Sequence, residues 1–375
     1  MEIKETITKF PSQIPFLDGM RAIAALMVLG LHFTGCHNEP LFLRKAMVIG
    51  GTGVDWFFVL SGFLITRILL RSKESPTFFS SFYARRILRI FPLYYAYLAI
   101  FFYVVPLLFS EKILPADTQI WFWVYLQNAA MTFSDKCSGG PAHFWSLAVE
   151  EHFYLAWPLL VYFLSRRHFT IVLGAVIVFP IIMRIIFVMN GIEVYFFTLT
   201  RIDSIGFGAI LAVMFTEGIP QTTGTRRAVR LFRILLIGIP LIVLPSFIFL
   251  SGTSMMWMQV VKFTVIPAFY FAVMGFCLAD PAAKLLTCFF SIGCLRWIGA
   301  ISYGIYVFHP TTFLIVRRLV PDAGYILDFA LSFGFTIAIA YLSFRFFESP
   351  ILKLKDKFKY MVSDAGSSTA QQQIR

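Results

Sequence analysis

A run of about twenty apolar residues recurs along the whole length of this chain, and it limits the available folds more than any other feature. As a helix, roughly 20 residues cross about 30 Å of hydrocarbon. Backbone groups in lipid must bond within their own segment, and runs this long favour helices over barrel strands. We read spans near 17–37, 50–70, 86–109, 143–164, 169–190, 202–217, 233–250, 258–279, 297–316 and 324–347. The stretch "TQIWFWVYLQNAAMTF" at 118–133 is shorter and more polar, and is expected to be re-entrant or interfacial. The expected fold is therefore all-α: a polytopic membrane protein of about ten transmembrane helices plus that one segment. One transmembrane domain over 1–360 and a disordered tail over 361–375 complete the expected organisation. Composition agrees, since only 14% of the 375 residues are charged, against about 25% in an average soluble domain.

The net charge is +12. Its densest basic segments lie at 71–89, 165–168, 225–233 and 353–359, between or after the spans. The excess is read as positive-inside bias rather than as a nucleic-acid surface. Placing all four segments in the cytoplasm puts both termini there, provided 118–133 does not cross. Arg317 and Arg318 then fall outside, against that scheme. Residues 1–15 are polar, so no cleavable leader is expected. No internal repeat is visible. The five cysteines follow no metal-ligand spacing, so no metal site is expected. Cys36 and Cys137 both fall near the outer face, and two separate thiols are expected there.

An ionisable residue at membrane depth costs about 2.5–3.5 kcal/mol on insertion scales and usually faces a partner or a wet cavity. Arg21 and His32 stand eleven residues apart on the first span, within about 20° of one helix face and roughly 16 Å apart in depth. Asp18 is placed to cap this helix or to pair with Arg21. Asp55 follows glycines near the outer end of the second span. Arg86 and Arg89 lie one turn apart where the third span is entered, a fork suited to phosphate. Glu150 and Glu151 sit one or two turns into their span, and Glu150 is favoured as the inward-facing one. Arg201 and Asp203 are expected at an outer mouth, and His309 roughly 18 Å into its span, counted from Trp297. Arg345 and Glu348 form an i,i+3 pair with a structural character. The arginines thus gather on the cytoplasmic side, and the histidines and several carboxylates lie deeper. That order suits a phosphate-bearing donor entering from inside, with an imidazole of near-neutral pKa as general base.

Taken together, "FLDGMRAIAALMVLGLH", "GVDWFFVLSGFLI", "ARRILRIFPLYY", "WSLAVEEHFYLAWP", "RIDSIGFGAILA", "ISYGIYVFHP" and "FFESP" resemble the acyltransferase family 3 of integral-membrane acyltransferases. They occur in family order between residues 16 and 351. The resemblance implies a bacterial inner-membrane enzyme that takes acetyl-CoA or another acyl-CoA from the cytoplasm. The implied acceptor is a hydroxyl of a lipid-linked or surface saccharide such as an O-antigen, lipopolysaccharide or exopolysaccharide. By similarity His32 is the leading catalytic residue, with Arg21 in the same motif and Arg86 and Arg89 at the CoA end. Glu150, Asp55 and His309 match further motif positions, and either carboxylate is a candidate to orient His32. Many members carry a fused esterase-like domain after the core. This sequence is expected to lack it, which leaves direct transfer or hand-off to a separate extracytoplasmic transferase. The alternatives are a proton-coupled transporter of a glycan or anion, a succinyl or longer-acyl transferase, and a small-molecule acceptor such as a macrolide or lipid.

Overall fold

The computed structural model describes residues 14–34, 44–45, 47, 49–109, 113–134, 137, 139–216, 223–249 and 256–360. The tail at 361–375 and Cys36 lie outside the described residues. Every regular element among the described residues is helical. In chain order they are α1 (Pro15–Phe33), α2 (Gly53–Ser72), α3 (Phe78–Ala99), α4 (Ala116–Trp123), α5 (Gln127–Phe133), α6 (Trp145–Phe163) and α7 (Arg166–Met189). They continue with α8 (Thr198–Thr216), α9 (Thr223–Phe249), α10 (Met256–Ala279), α11 (Lys284–Phe290), α12 (Gly293–Ala300), α13 (Ser302–Leu319) and α14 (Tyr325–Ser343). A π turn at Ile100–Val104 extends α3 to Phe109, and another at Phe344–Glu348 carries α14 into Ser349–Lys353.

A helix stands at each of the ten expected span positions. Seven are long and apolar enough to cross a membrane on length and composition alone, and an eighth crossing arises if the bent pair α11–α12 counts as one span. The three expected spans outside that set are α6, α9 and α13. In two of them polar groups lower the mean hydropathy: Glu150, Glu151 and His152 in α6, and His309, Arg317 and Arg318 in α13; the second half of α9, from 242 onward, lies outside the residues whose side chains are described. The expected span at 297–316 is corrected in one respect. Trp297 belongs to α12, which is bent 64° from α11, and the helix that carries His309 begins only at Ser302. At 118–133 the chain forms two helices of 8 and 7 residues, about 12 and 10 Å long. Neither crosses alone. They break at Tyr125, whose φ of 58° is the one positive value for a non-glycine among the described residues. The Tyr125 ring is held in that conformation by stacking on Tyr94, 4.1 Å between centroids.

The α2–α8 pair is the most extensive helix contact, and glycine makes it possible. A Cβ at Gly62 would stand 2.0 Å from the Ile205 carbonyl oxygen, and one at Gly208 would stand 2.0 Å from that of Val59. Only bare backbone fits, as in close helix pairs within lipid. Apolar side chains outside the core form the opposite face. On α7, Ile171, Val178, Ile182, Ile186 and Met189 are exposed, and on α9 so are Ile234, Ile237 and Leu241. In water such a surface would be a liability, whereas in hydrocarbon it is the solvated side.

The two ends of the bundle differ in charge. At one end the Lys73 ammonium donates to the Leu164 carbonyl at 3.2 Å, and Ser81 Oγ donates to that of Lys359 at 3.1 Å. The basic segments at 71–89, 165–168 and 353–359 therefore share this end, and Arg21, Arg86 and Arg89 lie toward it. The opposite end carries the α4–α5 turn. Arg317 and Arg318 fall there, and Arg317 is neutralised by Asp328 at 2.9 Å.

Candidate active site

Two cavities open between the helices, one toward each end. The first, about 140 Å³, is lined by Arg21 of α1, Arg86 and Arg89 of α3, Glu150 and Tyr154 of α6, and Tyr303 and Tyr306 of α13, among others. Arg86 packs over Phe82 and Tyr154, with its guanidinium carbon 5.9 and 6.0 Å from their ring centres. Arg89 lies 5.9 Å over Tyr303. Among the described residues neither arginine has an ion pair within 4.0 Å, and the buried Nε of Arg86 has no hydrogen-bond partner. Arg21 pairs with Asp18 at 3.0 Å, one of the two roles expected for that aspartate. Glu150 Oε2 accepts from the Tyr154 hydroxyl at 3.1 Å, and that hydroxyl also meets Ser61 at 2.5 Å.

The second cavity, about 300 Å³, is lined by His32, Tyr97, Phe101, His143, Thr311 and Leu314, among others, and by the backbone at 140–142. His32 is exposed to it, His143 lines it although largely buried, and His309 is buried behind. His309 Nε2 stands 3.1 Å from His32 Nδ1. The His143 ring lies 5.1 Å from that of His309, and its Nε2 stands 3.2 Å from the Val307 carbonyl oxygen.

The protons of this cluster follow from the carbonyls around it. Pro310 has no N–H, so the Tyr306 carbonyl lacks its helical donor four residues on. His309 Nδ1 takes that place at 2.8 Å and must carry the hydrogen, because a carbonyl only accepts. Neutral His309 then has its lone pair on Nε2 and accepts from His32 Nδ1–H. The same His32 nitrogen reaches the Val28 carbonyl at 3.0 Å, which also requires a hydrogen there. His32 Nε2 is left with a free lone pair, and the open side of the ring is the second cavity. The sequence "HP" at 309–310 thus sets the tautomer of a histidine on another helix.

One turn of α13 separates the two cavities. Tyr306 lines the first cavity, while its ring lies 5.6 Å from that of His143 and 5.8 Å from that of His309. Its hydroxyl donates to the His143 carbonyl at 2.5 Å and also contacts the Ser146 hydroxyl. From Tyr306 to His309 the helix axis advances about 4.5 Å.

Asp55 belongs to neither cavity. Its Oδ1 accepts from Arg201 at 2.8 Å and from Ser204 at 3.0 Å, in a fully enclosed network. Beside it Arg184 pairs with Asp203 at 2.8 Å. The expectation that Arg201 and Asp203 form an outer mouth is corrected accordingly, since all these groups are buried between α2, α7, α8 and α10. Among the described residues neither Asp55 nor Glu150 is hydrogen-bonded to His32, whereas His309 is. Glu348 is buried and accepts from Ser343 at 3.4 Å. Removing one partner of a buried ion pair costs about 3–5 kcal/mol, because the other charge stays behind. Asp55→Ala is therefore expected to lower thermal stability by that order, read as a lowered Tm in detergent. Replacing Arg201 with Leu as well should recover part of the loss. An unchanged Tm with lost turnover would instead give Asp55 a direct part in the chemistry.

Comparison with known proteins adds to this geometry. The family of acyltransferase domains numbered 3 matches residues 14–345, which include both cavities. The chain belongs to acyltransferase family 3. The peptidoglycan O-acetyltransferase OatA of Listeria monocytogenes is 30% identical over 378 residues, covering 94% of this chain and 58% of the relative. The O-acetyltransferase OatA of Staphylococcus aureus is 29% identical over 366 residues, covering 92% of this chain and 58% of the relative. The chain thus spans about 58% of the length of these relatives. No solved structure matches. Among the described residues no group of three or more His, Cys, Asp or Glu side chains is arranged to hold a metal ion.

In this family 3 member the structure brings Arg21, Arg86 and Arg89 to one cavity and His32 with His309 to the other, as the sequence reading grouped them, whereas Glu150, expected deeper with the histidines, lines the cavity of the arginines. Three residues of the arrangement were passed over. His143 stands before α6 in a short 3-10 turn, Ala142–Phe144, where helical periodicity is silent. Tyr306 was one of many aromatic residues. Arg184 did leave a signal, as a lone cation inside the apolar run of α7.

Proposed function

We propose that this protein is an O-acyltransferase that moves an acyl group, acetyl above all, from acyl-CoA on the cytoplasmic side to a hydroxyl of a cell-surface glycan. The observation that carries the reading is the back-to-back placement of the cavities. Three arginines line one, an imidazole with a free lone pair faces the other, and a single turn of α13 lies between them. The names of the OatA relatives support acetyl as the group, and that of the Listeria protein supports peptidoglycan as the class of acceptor.

In this reading the basic end faces the cytoplasm, in keeping with positive-inside bias. The CoA phosphates dock on Arg86 and Arg89, with Arg21 nearby, and the pantetheine arm points toward Tyr306. His32 Nε2 removes the proton from the acceptor hydroxyl as the oxygen attacks the thioester carbonyl. The tetrahedral intermediate collapses, the C–S bond breaks, and the CoA thiolate takes up a proton as the ester departs. His309 and the Val28 carbonyl stabilise the imidazolium that His32 becomes. The test is incubation of purified protein in lipid with acetyl-CoA and glycan fragments. Release of one CoA per ester formed supports the reading. Intact acetyl-CoA beside transport of the glycan would favour a carrier.

A further inference from the structure

The segment after α14 lies across the cytoplasmic-end turns of α3. Arg85 Nη1 donates to the carbonyls of Lys355 and Phe358, both at 3.3 Å. Ser81 and Thr77 donate to the Lys359 carbonyl at 3.1 and 3.3 Å. All four bonds end on backbone oxygens, so the strap is fixed while its side chains remain available. Lys353, Lys357 and Lys359 are exposed, and Lys355 alone of these lysines is half-buried. The positive charges of Arg89, Arg86 and Arg85 act on its ammonium. Glu348 acts on Arg89, and Glu150 and Glu151 act on Arg86, but none of the three forms an ion pair with Lys355 among the described residues.

Gathering an ammonium and guanidiniums at one half-buried place is unfavourable by Coulomb's law unless an anion joins them. The geometry also divides the labour. The Arg86–Arg89 fork suits the flat, bidentate recognition of a pyrophosphate, and a compact ammonium suits a terminal phosphate monoester. We infer that Lys355 on the C-terminal strap completes a polyphosphate site with Arg86 and Arg89 and binds the ribose 3′-phosphate of the coenzyme A donor. This rests on the acyl-CoA reading above and adds to it a residue that selects coenzyme A over shorter pantetheine thioesters. The strap is held in place before the ligand arrives, so little ordering cost opposes binding.

Binding of CoA and of dephospho-CoA, which lacks only the 3′-phosphate, tests this on the purified full chain. Lys355→Gln is expected to weaken CoA by about tenfold, the worth of one charge-assisted contact, and to leave dephospho-CoA within about twofold. Lys355→Arg should restore part of the CoA affinity, and Lys357→Gln should bind as the wild type does. Equal binding of both ligands by Lys355→Gln and wild type would overturn the inference while sparing the acyl-CoA reading. So would an equal loss for both ligands, which would mark a structural role for the strap. Failure of wild type to bind CoA at all would overturn the acyl-CoA reading itself.

Discussion

His32→Ala is expected to lower kcat for acyl transfer by about 10²–10⁴-fold, the range for loss of a positioned general base, with CoA affinity unchanged. His32 is exposed to its cavity, so truncation leaves no buried partner beyond His309 Nε2, and the fold should survive. His309→Ala probes the same proton arrangement from the other side. It removes the acceptor that helps fix His32 Nδ1–H, while the Val28 carbonyl remains. Its kcat should fall by less than that of His32→Ala. The pair is non-additive if the two imidazoles act as a unit, so the double variant should be no slower than His32→Ala alone. Steady-state kinetics of the three variants, beside equilibrium CoA binding, checks the whole set.

Arg89→Ala is expected to act on the donor, with a KM for acetyl-CoA raised by at least about tenfold and a much smaller change in kcat. A hydrogen bond to a charged group contributes about 1.5–3 kcal/mol, and about 1.4 kcal/mol is tenfold in affinity. Arg89 forms no ion pair within 4.0 Å among the described residues, and the buried carboxylate that its charge reaches, Glu348, keeps its hydrogen bond from Ser343 when Arg89 is removed. Arg89→Lys should be intermediate, because the ammonium keeps the charge and loses the fork. Initial-rate measurements over a range of acetyl-CoA, at saturating acceptor, separate KM from kcat. A loss confined to kcat would place Arg89 at the chemistry rather than at the phosphates.

The parts of this structure that were legible in the sequence are those that obey a period or a depth rule. Apolar runs of about twenty residues marked the helices, and several of the interruptions marked residues that line the two cavities. Arg86 and Arg89 share a face because they are three apart, and Arg21 reaches the same cavity because basic residues gather at one end. Contacts between distant helices could not be read this way. Asp55 and Arg201 are 146 residues apart, and nothing in either segment says that each neutralises the other. Asp55 therefore stood out as a carboxylate at membrane depth, while its pairing with a buried cation stayed hidden. The link from His309 to His32 spans 277 residues and was equally hidden. Pro310 beside His309 was visible throughout, but its consequence depends on which imidazole lies within reach of the next.

The most direct test of the central claim is sidedness in oriented proteoliposomes. Labelled acetyl-CoA would be confined to the compartment facing Arg86 and Arg89, and glycan acceptor to the compartment facing His32. Two cavities that meet at one turn of α13 predict labelled ester on the acceptor across the membrane, absent in His32→Ala. Ester formed only when donor and acceptor share a compartment would contradict the arrangement proposed for this bundle.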